Sequence, residues 1–114
     1  MDPLRMHPQL GASWEGFVFE QLMQLNQDPT HAFFWGTYSN AEIDLIINRK
    51  GKQYGFEIKF EDAPRKTRSM YEALKSLPLE RIYVVYPGNT SYVLDDKIEA
   101  VPLADVKMLF EQKL

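Results

Sequence analysis

The run from Ala41 to Phe60 constrains the chain more than any other. It reads Ala-Glu-Ile-Asp-Leu-Ile-Ile-Asn-Arg-Lys-Gly-Lys-Gln-Tyr-Gly-Phe-Glu-Ile-Lys-Phe. Two apolar-rich segments flank a turn at Asn48–Lys52, where Gly51 can reverse the chain direction. The pattern predicts a β-hairpin. Side chains alternate faces along a strand, so Ile43, Leu45 and Ile47 are expected on one face of the first strand. Phe56, Ile58 and Phe60 are expected on one face of the second, and the six together form a core. The other faces then carry Glu42 and Asp44, with Glu57 and Lys59 beside them.

Acids are depleted in strands, so Asp44 and Glu57 call for a reason. Two carboxylates and one ammonium on adjacent strands make a compact, oxygen-rich cluster that suits Mg²⁺ or Mn²⁺. The alternative is a solvated sheet face with a cross-strand salt bridge, because antiparallel sheets often turn one polar face to water.

The 114 residues are enough for one domain with a modest core. The expected division is a lead-in over residues 1–10 and a single domain over residues 11–114. There is no cysteine, which excludes disulfides, thiolate metal sites and thiol nucleophiles, and fits a cytoplasmic location. Met1–Leu10 has no apolar signal-peptide core, and no stretch is apolar enough to span a membrane, so no membrane partner is expected. The net charge of −3 argues against binding nucleic acid by bulk charge but allows a local basic patch.

Gly11–Gln24 has the spacing of an amphipathic helix, with Trp14, Phe17, Val18, Gln21, Leu22 and Leu25 on one stripe. Glu15 borders that stripe and is expected to be half-buried. The plain alternative is an acid placed to suit the helix dipole. A turn with Asp28-Pro29 leads to an aromatic strand over Ala32–Tyr38. His7 and His31 have no ligand partner at metal-binding spacing and read as surface residues.

Arg65, Lys66 and Arg68 crowd the start of a second helix, Lys66–Ser76. Cations there oppose the helix dipole, which is a reason to look for a bound phosphate. The alternative is a solvated basic surface. Ile82–Tyr86 is a near-continuous apolar run, as in a strand buried on both faces and parallel to a neighbour. Short strands at Ser91–Leu94 and Ile98–Pro102 and a closing helix over Leu103–Leu114 complete an α/β sandwich with a mixed central sheet.

The helical Glu15, the strand acid Asp44 and the triplet Glu57-Ile58-Lys59 together resemble the PD-(D/E)XK nuclease superfamily, whose fold is called restriction-endonuclease-like. Four blocks in order carry the likeness further. Gly-Ala-Ser-Trp-Glu-Gly-Phe-Val, Ala-Glu-Ile-Asp-Leu, Gly-Phe-Glu-Ile-Lys and Val-Val-Tyr-Pro-Gly are similar to the C-terminal domain of bacterial and archaeal AAA-type ATPases. The resemblance covers about Pro8 to Leu103. It implies metal binding by Asp44, Glu57 and the backbone carbonyl of Ile58. It gives Lys59 the role of positioning the attacking water, and Glu15 a supporting role. The superfamily's proline before the first acid is replaced by Ile43. No phosphate-binding loop of the Gly-x-x-x-x-Gly-Lys-Ser/Thr kind occurs, so an ATPase partner would lie on another segment or chain.

The sequence thus supports a Mg²⁺- or Mn²⁺-dependent nuclease acting on nucleic acid, with DNA the first candidate. The other readings are a non-catalytic nuclease-fold module working beside an ATPase, and an interaction domain, for instance a homodimer, whose polar cluster is a salt-bridged face.

Overall fold

The computed structural model describes residues 8–26 and 31–114. The expected lead-in before Pro8, His7 and the Asp28-Pro29 turn lie outside the described residues. Helix α1 spans Pro8–Asn26. Strands β1 (Ala32–Gly36), β2 (Glu42–Arg49) and β3 (Lys52–Ile58) follow. Then come helix α2 (Arg68–Ser76) and strands β4 (Leu79–Tyr86), β5 (Tyr92–Asp95) and β6 (Ile98–Pro102). A 3₁₀ turn over Leu103–Asp105 leads into α3 (Val106–Gln112).

The strands form one mixed six-stranded sheet in the order β1-β2-β3-β4-β6-β5. The first three pair antiparallel. The crossover through α2 sets β4 parallel to β3, and β6 lies parallel to β4. Each face of the sheet is covered. On one side α1 and α3 bring Val18, Leu22, Val106, Leu109 and Phe110 against Leu45, Ile47, Phe56, Ile58, Tyr83 and Val85. On the other, Met70 and Ala73 of α2 pack on Ile43, Ile46, Ile82, Val84 and Ile98. This accounts for the unbroken apolar run in β4: Ile82 and Val84 face one layer, Tyr83 and Val85 the other.

The hairpin closes as expected, through the two-residue turn Lys50-Gly51. Both residues are left-handed, with φ of 54° and 79°, as a tight turn that matches strand twist requires. Four expectations need correction. Ile43 does not share a face with Leu45 and Ile47; it packs in the α2 layer with Ile46. Phe60 is only partly buried. Phe17, placed on the buried stripe of α1, is 55% exposed. The α2 helix also begins later than the spacing implied. Thr67 caps it by accepting a hydrogen bond from the Met70 N–H, so Arg65 and Lys66 precede the helix.

The displacement of Ile43 has a clear cause. In the β1–β2 pairing, Phe33 stands opposite Ile46 and Trp35 opposite Ile43. Phe34 alone therefore faces two residues of β2, Asp44 and Leu45. That is a β-bulge, which inserts a residue, breaks the two-residue alternation and bends the strand.

Candidate functional site

The bulge places Asp44 where β2 and β3 part. Ladder pairing between them runs from Arg49 and Lys52 to Leu45 and Phe56, and stops there. Beyond it, side chains take over the backbone hydrogen bonds. The Asp44 N–H donates to Oε1 of Glu57 at 2.8 Å. The Ile58 N–H donates to Oδ2 of Asp44 at 2.8 Å. Each acid thus holds an amide of the opposite strand. Hydrogen bonds to charged groups are worth about 1.5–3 kcal/mol each, enough to fix both carboxylates against the sheet. Oδ1 of Asp44 and Oε2 of Glu57 are left for other partners.

Strand β3 stays anchored on its other edge, where the Lys59 N–H donates to the Val85 carbonyl at 2.9 Å. A strand residue directs its N–H and C=O to the same edge. The N–H of Ile58 points toward Asp44, so its carbonyl lies on that edge too. Lys59 turns its ammonium to Oε2 of Glu57 at 3.7 Å, and this amine is partly exposed while the carboxylate is buried.

Glu57 is 6% exposed. Burial first, and the neighbouring charge of Asp44 second, push its carboxyl up to about 7; the Asp44 N–H and Lys59 offset only part of this. Glu15 is exposed on α1. Its carboxyl is also raised, by desolvation, then by Asp44, with Lys59 opposing and Glu61 adding to the rise. Glu15 is thus within electrostatic reach of both Asp44 and Lys59. The packing explains how α1 brings it there. Trp14 rests on the Phe60 ring with centroids 5.5 Å apart. A Cβ at Gly11 would sit 3.3 Å from the same ring, so glycine permits the close approach. Gly11 and Trp14 hold the helix against the end of β3, next to Lys59.

The structure therefore brings Glu15, Asp44, Glu57, Ile58 and Lys59 into one neighbourhood at the open end of the hairpin. The basic cluster is more divided. Lys66 lies 3.2 Å from Oδ2 of Asp95 and 5.6 Å from the centroid of the Tyr71 ring. Asp95 is held down to about 2 by the Tyr71 hydroxyl, then the Asp96 N–H, then Lys66. Arg65 and Arg68 are exposed. Arg68 lines an open cleft with Ser39, Asn40, Ala41, Thr67 and Ser69. Ser69 also accepts the Glu42 N–H at 3.2 Å, tying this cleft to the strand that bears Asp44. Nothing in the sequence connects Ser39-Asn40 with α2. The one local signal was an asparagine suited to a left-handed backbone, and Asn40 has φ of 66°.

The donors that Asp44, Glu57 and the Ile58 carbonyl offer are all oxygen, which suits Mg²⁺ and Mn²⁺. Among the described residues, no group of three or more His, Asp or Glu side chains forms a ready-made metal cage. Two carboxylates are within the one or two that a Mg²⁺ site commonly takes, with water and substrate phosphate completing the shell. The surplus of negative charge fits as well, since two acids crowd together with one amine close by.

Fold and site define an α/β domain whose mixed sheet carries a buried glutamate, a half-buried aspartate beside it and an adjacent lysine. The chain belongs to the family described as Domain of unknown function (DUF4143), whose model matches residues 10–106. Two similar proteins, from Mycobacterium bovis and Mycobacterium tuberculosis, are each 48% identical over 99 residues and are named only as uncharacterized. The match covers 87% of this chain but 22% of each relative's length. No solved structure matches the chain. No described helix is long and apolar enough to cross a membrane.

Proposed function

We propose that this domain is a Mg²⁺- or Mn²⁺-dependent nuclease of the PD-(D/E)XK kind, cleaving phosphodiester bonds in nucleic acid, most simply DNA. The observation that carries the reading is the reciprocal clamp of Asp44 and Glu57 at a strand bulge, with Lys59 against the second acid. The restriction-endonuclease-like fold belongs to the same proposal. Its support is the mixed sheet, with the acids where the antiparallel hairpin opens beside a parallel strand.

Asp44, Glu57 and the Ile58 carbonyl would hold the cation. When bound, it neutralises phosphate charge and lowers the pKa of water at the site. Lys59 orients the attacking water and steadies the phosphate with its ammonium. Glu15 adds a carboxylate from the helix side, where it can accept a proton from water. Arg65 and Arg68 meet the phosphate backbone away from the acids. An AAA-type ATPase segment or chain would deliver the substrate. That part of the proposal rests on the resemblance of the four sequence blocks.

The test is a cleavage panel of single- and double-stranded DNA and RNA with Mg²⁺ or Mn²⁺. Wild type should cut at least one form only when metal is present, and Lys59→Ala should lose at least a hundredfold in rate, the scale on which positioned proton-transfer groups act. No cleavage of any form would leave the second reading, a non-catalytic nuclease-fold module for nucleic-acid or protein binding. In either case Arg65→Ala/Arg68→Ala should flatten the salt dependence of nucleic-acid binding. The log–log slope should fall by about 1–2 if each arginine meets one phosphate. Adding Lys66→Ala should change it little more, because Lys66 is already paired with Asp95. An unchanged slope in the double variant would make the cluster a solvated surface.

A further inference from the structure

The two edges of the sheet are built differently. Strand β5, at one end, is four residues long and stops at Asp95-Asp96. Its last residue is held by Lys66 and by the Tyr71 hydroxyl at 2.7 Å. Charge, brevity and a covering contact are the usual ways of keeping an edge from pairing with another chain. Strand β1, at the other end, is one residue longer, and among the described residues no ion pair covers it. It reads Ala-Phe-Phe-Trp-Gly, and no residue from Ala32 to Ala41 is charged or proline. Phe33 and Phe34 are 38% and 62% exposed, and Tyr38 is fully exposed. The bulge opposite Phe34 is on β2 and leaves β1 itself extended.

The strand is also a size palindrome. Read in either direction it runs small, aromatic, aromatic, aromatic, small. Antiparallel pairing with a second copy about a twofold axis at Phe34 sets Phe34 against Phe34 of the partner subunit. It sets Phe33 against Trp35 of the partner subunit, and Ala32 against Gly36 of the partner subunit. Trp35 lies in the α2 layer and Ala32 in the opposite layer. Alternation then puts Phe33 with Trp35 and Phe34 with Ala32, so both faces gain aromatic cross-strand pairs. No like charges meet. A surface that matches itself in this way is what a twofold dimer needs.

We propose that β1 is a homodimer interface, two copies joining their sheets edge to edge through Ala32–Gly36. The strand's partner is a second copy of this chain, because the palindrome serves self-pairing in particular, and β1 pairs this way with or without a metal at Asp44 and Glu57.

The chain has no cysteine, so single cysteines report the register directly. Residues paired across an antiparallel ladder have Cα atoms about 4.5–5.5 Å apart, within disulfide range. Under mild oxidation Phe34→Cys should cross-link to a covalent dimer, and Val93→Cys, on the opposite edge, should not. Light scattering should give wild type twice the 13.3 kDa chain mass at tens of micromolar, and Phe34→Lys the single mass. Val93→Lys should remain a dimer. Circular dichroism and melting curves check that each variant is folded; Phe34 and Val93 are both exposed, so neither substitution removes core contacts. A monomeric wild type would overturn the proposal, and so would a Phe34→Lys variant that still dimerises. An edge that serves an extended peptide of another protein would give the first of those results.

Discussion

Glu57→Gln is expected to stabilise the metal-free protein by roughly 3 kcal/mol at pH 8. The Glu57 carboxyl titrates near 7 in the folded state, against an ordinary value of 4.5, and each unit of difference is worth about 1.4 kcal/mol. The sign follows from proton counting. Between pH 4.5 and 7 the folded chain holds a proton on Glu57 that the unfolded chain has released, so stability falls as pH rises through this window. Glutamine removes the charge and keeps Oε1 as acceptor for the Asp44 N–H. The advantage of the variant should therefore shrink below 1 kcal/mol by pH 5, where wild-type Glu57 is protonated. Urea denaturation in chelator at both pH values reads the two numbers. A salt-bridged face predicts the reverse, since losing the partner of Lys59 would cost stability. With excess Mg²⁺ or Mn²⁺, wild type should gain stability by mass action and the variant should not.

Phe56→Ala is expected to cost about 3–5 kcal/mol, the range for a buried aromatic truncated to alanine. Phe56 is fully buried, stacked on Phe110 at 5.6 Å and tilted against Tyr83 at the same centroid distance. It joins α3 to the middle of the sheet. Such a loss is a large share of the 5–15 kcal/mol that holds a typical domain together. Phe56 and Leu45 are also the last ladder pair before the acids, so the site should loosen with the core. Phe56→Leu should cost less, because it leaves a smaller void. Urea midpoints for the two variants test the ordering, and equal losses would mean that ring packing at Phe56 is not what holds this layer.

The parts of this molecule legible in the sequence are those governed by neighbours in the chain. The turn at Lys50-Gly51 follows from a glycine between two alternating runs. The doubly buried β4 follows from an apolar run too short for a helix and too regular for a loop. The Glu57-Ile58-Lys59 strand end was legible for the same reason. The bulge at Asp44 was not. A period of two assigns faces only while no residue is inserted, and nothing in Glu-Ile-Asp-Leu-Ile announces an insertion. It becomes visible only against the register of β1. The inserted residue turns Ile43 to the α2 layer, while Asp44 still meets Glu57. The Lys66–Asp95 pair joins residues 29 apart in sequence, and only the packing of α2 beside β5 reveals it. Phe17 misled because α1 is apolar on several sides, and periodicity alone does not say which side the sheet takes.

If Asp44 and Glu57 form a cation site, Mn²⁺ binds there. Free aqueous Mn²⁺ gives a six-line electron paramagnetic resonance signal that weakens when the ion binds protein. At pH 7.5, one Mn²⁺ per wild-type chain should be removed from that signal, and Mg²⁺ should compete it back. Glu57→Gln should bind at least tenfold more weakly. Lys59→Ala should bind at least as well as wild type, because it loses an ammonium and no ligand. Lowering the pH to 5.5 should weaken binding, because a proton then occupies Glu57. A signal unchanged by wild-type protein at millimolar Mn²⁺, or equal binding by wild type and Glu57→Gln, would contradict the assignment.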